Sequence, residues 1–244
     1  MSPRVRRALE KCDDLPTMPA IAARVIEMGR DPDLNIGDLA ALLTKDPALV
    51  ARLLRVANSP FYSRRRRSEN VMQAVMLLGL DATITLALSF SLVESLRTDG
   101  GAGRIVWRRA LLAGTACQQL GHYQDWAKPE TLFLAGLLQD IGVLALEAAV
   151  PADYGPLVRE ADSHDALVAL EQVYLDTDHC EAGAWLMDRW GLPEYAVDAV
   201  RGSHDPDASD VPEASRQLVR CVALAGQIAD FFLYGHDRAE ASGV

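Results

Sequence analysis

"KDPALVARLLRVANSP", residues 45–60, decides the fold class. Asp46 carries the short acceptor side chain favoured at a helix N-cap, and Pro47 stands at the first helical position, where its missing N–H is not needed. Behind this start, Leu49, Leu53, Val56 and Ala57 recur at helical spacing and form one apolar stripe. Asn58-Ser59-Pro60 ends the run, because the residue before a proline is biased away from helix. The stretch therefore predicts an amphipathic helix with a marked start and stop. The same grammar repeats on both sides. Upstream, Asn35 can cap a helix whose face is Ile36, Leu39, Ala40 and Leu43, with Asp38 in its first turn. Downstream, Gly79 and Asp81 divide "QAVMLLGLDATITLALSFSLVESL", residues 73–96, into two helices, with Asp81 expected to cap the second. "EAGAWLMDRWGLPEYAVDAV", residues 181–200, stops at Gly191 and restarts with Pro193 near a first helical position. Leu218, Val222, Ala225, Ala229 and Phe232 stripe a last long helix. No alternating stretch is long enough for a convincing strand, and no repeat is present. The predicted class is all-α.

Composition narrows the function. Half of the 244 residues are hydrophobic, as in a globular protein with a large core. A net charge of −10 and a pI of about 4.9 argue against broad attraction to nucleic acid or an anionic membrane. The start, "MSPRVRRALEKCDDLP", has no apolar core and does not read as a secretory signal. Cys12, Cys117, Cys180 and Cys221 show no metal-knuckle or disulfide spacing and read as free thiols, so a cytoplasmic protein is expected. Val71–Val93 and Thr131–Val150 are apolar enough to test as membrane spans. Each contains an aspartate, however, and a central one costs roughly 2.5–3.5 kcal/mol on insertion. Buried core helices are the better reading. "RTDGGAG", residues 97–103, reads as a linker between two lobes, 1–100 and 101–244. "YSRRRR", residues 62–67, is the one basic run and reads as a solvated loop, with a phosphate or acidic-partner contact as the sharper alternative.

"FLAGLLQDIGVLAL", residues 133–146, raises a chemical question. A helix over Thr131–Leu146 is apolar all round and must be buried. Asp140 inside it then needs a cation, a metal or several donors, since an isolated buried carboxylate would neutralise instead. Its neighbour Gln139 offers only a neutral amide.

"LPTMPAIAARVIEM", "DLAALLTKDPALVARLLRVANSPFY", "QAVMLLGLDATITLALS", "FLAGLLQDIGVLAL" and "DHCEAGAWLMDRWGLPEYAVDAV" together resemble the HDOD family over residues 13–213. These are HD-related output domains of bacterial signalling proteins, distant relatives of the HD and HD-GYP metal-dependent phosphohydrolases. The DPALVARLLRVANS block is the specific part of the match. The resemblance implies a compact, two-lobed helical unit with a degenerate HD-type core, and a signalling role usually without demonstrated catalysis.

It also implies a set of vestigial site positions. Arg109, shortly after Trp107, stands where active HD enzymes carry a first histidine ligand. Gln139-Asp140 stands at the HD doublet. His179 and His204 fall at further histidines of the HD-GYP pattern, with Ser203 in place of one of a usual pair. Gly226 replaces the closing aspartate, and Asp230, one helical turn beyond, is not expected to replace it. By their own local sequence, His179 reads as a helix N-terminal residue and His204 as a surface loop residue. With three ligands lost, the expectation is no catalytic residue, no metal and no cofactor. Arg109 is expected to pair with Asp140 and to repel a divalent cation, while Gln139 supplies neutral hydrogen bonds. The predicted function is a non-catalytic bacterial signal-transduction module. It would act through protein–protein contacts with other signalling proteins, without nucleic acid or membrane. Two alternatives stay open: a metal-dependent phosphohydrolase acting on a nucleotide or cyclic dinucleotide through Asp140, His179 and His204, and a nucleotide sensor using Arg64–Arg67 or Arg109.

Overall fold

Every regular element among the described residues of the computed structural model is a helix, as the sequence predicts; those residues are 1–62, 67–95, 101–124, 126, 128–209 and 211–241. They form two compact units, Met18–Ser95 on the one hand, and Met1–Thr17 with the described residues beyond Ser95 on the other. Residues 97–100 of the expected linker and residues 63–66 of the basic run lie outside the described residues. Gly101–Gly103, counted with that linker, are helical.

The first helix, α1 (Pro3–Lys11), is capped by Ser2 and belongs to the larger unit. The smaller unit holds α2 (Ala20–Gly29), α3 (Ile36–Leu43), α4 (Pro47–Ala57), α5 (Val71–Leu78) and α6 (Leu80–Ser95). The cap signals act as read: Asp46 Oδ1 accepts from Leu49 N at 3.0 Å, and Asn35 Oδ1 from Asp38 N at 3.0 Å. Leu49, Leu53 and Ala57 are buried on the predicted stripe. Asn58 then clamps the returning loop through both ends of its amide, donating to Ser68 O at 2.9 Å and accepting from Ser68 N at 2.7 Å. Asp81 is not the cap of α6 but lies inside its first turn, so Gly79 alone separates the two helices. The chain bends there by 117°, which breaks the first apolar stretch.

The larger unit continues with α7 (Gly101–Tyr123), α8 (Pro129–Leu138), α9 (Ile141–Ala149), α10 (Pro151–Glu160), α11 (His164–Leu175), α12 (His179–Arg189), α13 (Glu194–Arg201) and α14 (Glu213–Ala241). Cys117, Leu132, Ala199, Leu218, Val222 and Ala225 form a shared core of α7, α8, α13 and α14. Phe232, expected on the buried stripe of α14, is 62% exposed. Pro193 takes the N-cap of α13 rather than its first turn. The apolar stretch Pro129–Ala149 is long enough to cross a membrane by composition, yet 83% of its most apolar window is buried inside the protein. It is also not the single helix expected over Thr131–Leu146. It breaks at Gln139–Asp140, where Asp140 leaves helical geometry (φ −107°, ψ 15°) and becomes the N-cap residue of α9. Its side chain does not cap that helix. The sequence-based division at residue 100 separates α1 from its neighbours: Ser2 Oγ donates to Leu175 O at 2.8 Å, and Cys12 Sγ lies 3.4 Å from Ala148 O.

Candidate functional site

The break between α8 and α9 is the centre of a buried polar cluster. Arg109 comes from α7, Gln139 and Asp140 from the break, His164 and His179 from the first positions of α11 and α12, His204 from the loop after α13, and Gly226 and Asp230 from α14. One close crossing brings these parts together. A Cβ on Gly142 would lie 1.8 Å from His179 O and 2.6 Å from Gly183 N, so only glycine lets α12 begin directly against α9. That approach sets His179 beside Asp140.

Arg109 is 3% exposed and joins two carboxylates. Its Nη1 donates to Asp140 Oδ2, while Nε and Nη2 donate to Asp230 Oδ1 and Oδ2 at 2.8 and 2.9 Å. This planar fork serves Asp230 with two parallel bonds, a geometry an ammonium could not match. Gly226 makes room for it, since a Cβ there would lie 3.0 Å from Arg109 Nη2 and 2.9 Å from Gln139 Oε1. Burial opposes the charge on Arg109, but Asp140 and Asp230 outweigh it and push its pKa up. Burial likewise works against ionised Asp140, yet Arg109, then His164 and His179, hold its carboxyl well below the usual range. Gln139 departs from expectation: its Nε2 is buried without a hydrogen-bond partner.

The histidines have their own support. Glu171, fully buried on α11, accepts from the His179 ring at Nδ1 (2.8 and 3.0 Å to its two oxygens), from His179 N at 2.9 Å and from Tyr154 Oη at 2.6 Å. Donation from Nδ1 fixes the tautomer and leaves Nε2 directed at Asp140 Oδ1, 3.8 Å away. His164 Nε2 lies 3.2 Å from the same oxygen without hydrogen-bond alignment. Asp140 Oδ1, His164 Nε2 and His179 Nε2 are therefore buried and face one another with no hydrogen-bond partner of their own. Such an arrangement needs a proton or a cation between them. The His204 ring closes the group, its centroid 4.9 Å from that of His164 and 5.1 Å from that of His179.

One donor atom each from Asp140, His164, His179 and His204 lie within 4.8 Å of one another. Four tetrahedral ligands at about 2.1 Å from an ion lie about 3.4 Å from one another, so the widest pair must close by roughly 1.4 Å, a side-chain adjustment, to seat all four. Burial pushes His164 below its ordinary pKa, and burial followed by the neighbouring His179 pushes His204 down to about 4, so both favour the neutral, ligating form. Glu171 overcomes the effect of burial at His179 and raises it. The charges also fit: the carboxylates of Asp140, Glu171 and Asp230, less the guanidinium of Arg109, leave two negative charges for a divalent ion to balance. Asp230 offsets the positive charge of Arg109, which lessens the repulsion expected between Arg109 and a cation. The donor set of three imidazoles and one carboxylate suits zinc, iron or nickel better than magnesium or calcium.

All six positions named from the sequence, Arg109, Gln139, Asp140, His179, His204 and Gly226, meet here. His164 and its supporting neighbours Glu171 and Tyr154 escaped that reading. A signal existed: "SH" at 163–164 and "DH" at 178–179 both place a histidine directly after a helix N-cap residue. Asp230 does not replace the missing closing ligand; it holds Arg109.

The chain matches the HDOD domain over residues 15–206, a span that contains all four donors. An HDOD domain protein of unknown function from Geobacter sulfurreducens superposes with a TM-score of 0.73 at 29% identity, over 92% of this chain and 76% of that one. A protein of Shewanella amazonensis SB2B, provisionally named a phosphohydrolase, superposes with a TM-score of 0.70 at 26% identity, over 92% and 81%. An uncharacterized protein of Treponema pallidum (strain Nichols) is 28% identical over 225 residues, which are 91% of this chain and 43% of that protein. The chain thus spans less than half the length of this curated relative. Helical architecture, the order of the sequence blocks and the domain match agree: the chain belongs to the HDOD family.

Proposed function

We propose that the chain is a regulatory module of the HDOD family that holds one divalent transition metal at Asp140, His164, His179 and His204, does not hydrolyse phosphoesters, and acts through protein contacts in the cytoplasm. The observation that carries this reading is the commitment of Arg109. Hydrolysis of a phosphoester at a metal needs positive charge free to hold the phosphate as well as an activated water. Arg109 is the cation at this site, and Asp140 and Asp230 already occupy its fork. The metal, when bound, supplies a positive charge that joins four segments of the larger unit. The chain's own residues set its surroundings: Glu171 orients His179, and Arg109 keeps Asp140 ionised.

A phosphohydrolase remains the second reading, favoured by His164 as a fourth donor. The test is an assay of the full chain, loaded in turn with iron, manganese and zinc, against a chromogenic phosphodiester and a cyclic dinucleotide. No turnover above the metal-only background is expected. Turnover that disappears with Asp140→Asn would overturn the proposal in favour of the enzyme.

A further inference from the structure

Beside the cluster, α7, α9, α10 and α11 line a half-open cavity of about 190 Å³ that exposes Arg109, Asp140 and His164. His164 belongs both to this cavity and to the donor quartet, so an occupant of the cavity lies against the open side of the cluster. We propose that the cavity seats a small uncharged molecule, no larger than a single ring, and excludes phosphates and nucleotides. This rests on the metal-site reading above and names the ligand class that the site admits.

Three observations carry it. The volume is well below the roughly 300–1,000 Å³ of pockets that bury drug-sized ligands, and a nucleotide belongs to that larger class. The walls are apolar, formed by Ile105, Val106, Val143, Val158, Ala161 and Leu167. Small apolar cavities of this kind take up uncharged guests that need no hydrogen bonds. The polar lining repels anions: Asp140 and Asp162 face the space, and its one basic group, Arg109, is engaged by two carboxylates. Nor does the start of α11 offer an anion seat by default, since the Ser163 hydroxyl already accepts from Ala166 N at 3.2 Å. A phosphate would enter a negatively charged, apolar funnel. A neutral diatomic would lose almost no hydration on entry.

The test uses the full chain loaded anaerobically with ferrous iron, its iron content measured, and then titrated with nitric oxide by electron paramagnetic resonance. The wild type is expected to give a high-spin iron–nitrosyl signal. Val158→Trp, at a half-buried wall position, is expected to keep its iron and circular dichroism but to bind nitric oxide at least about tenfold more weakly. Val106→Trp, at a second half-buried wall position, is expected to weaken nitric oxide binding likewise, and keeps the proposal open to refutation should Val158→Trp fail to fold. Calorimetry with inorganic phosphate and with adenosine monophosphate is expected to show no heat. Iron without a nitrosyl signal, a signal indifferent to Val158→Trp or to Val106→Trp, or phosphate binding lost in Val158→Trp would each overturn the cavity proposal alone. A wild type that takes up no iron would overturn the metal-site reading and this proposal with it.

Discussion

Arg109 links two carboxylates of unequal burial, and the consequences of removing each partner differ accordingly. Asp140 is 1% exposed and Asp230 is 28% exposed. Breaking a buried pair typically costs about 3–5 kcal/mol because the remaining charge is stranded. Arg109→Met strands both carboxylates and is expected at the upper end of that range. Asp140→Ala leaves Arg109 still held by Asp230, and about 3 kcal/mol is expected. Asp230→Asn, at the solvent edge, should cost nearer 1 kcal/mol. At about 2–4 °C per kcal/mol for a chain of this size, thermal melts resolve the order. An Asp230 variant as unstable as the Asp140 variant would contradict this account of the pair. A different readout applies to Glu171, which touches no ligand position except through His179. Glu171→Gln is expected to weaken metal affinity about 10–100-fold, measured by competition with a chromogenic chelator. Unchanged affinity would show that His179 needs no orienting partner.

Among the elements, the meeting of α9 with α12 controls whether the site forms. The groups a Gly142 Cβ would meet, His179 O and Gly183 N, are both backbone, so no side-chain rotation relieves the clash. Gly142→Ala is expected to force the helices apart, at a cost of about 3 kcal/mol or more and with loss of metal binding. A variant with wild-type stability and metal content would mean that the crossing is looser than described. Local signals of this kind were legible where one residue type has one local use. Asp46-Pro47 and Asn35 announce helix starts from sequence, and both caps form. The break at Gln139–Asp140 was not legible, because apolar residues continue unbroken on both sides and only the turn of one backbone unit separates α8 from α9. Phe232 matches the helical spacing of its buried neighbours, yet it is exposed and its ring meets that of Phe231, because spacing along a helix does not say where the covering surface ends. For the site, the family resemblance located Arg109, Asp140, His179 and His204. His164 was hidden because its place depends on how the fold brings the start of α11 to Asp140, which spacing along the chain does not encode.

At the scale of the whole molecule, the cluster joins α9, α11, α12 and the loop after α13. An ion bound there favours the folded chain over the unfolded one by mass action, by about 2.7 kcal/mol when its free concentration is a hundred times its dissociation constant. A rise in melting temperature of roughly 5–10 °C on metal addition, reversed by a chelator, is expected from scanning calorimetry. No shift would mean that the four donors do not act as one site. The most direct test of the central claim is elemental analysis of the full chain, supplied in turn with iron, manganese and zinc and then dialysed exhaustively. The account predicts about one equivalent of a transition metal in the wild type, and loss of nearly all of it in a His164→Ala/His179→Ala double variant that keeps its helical circular dichroism. A wild type that retains none, or a double variant that retains the full equivalent, would contradict it.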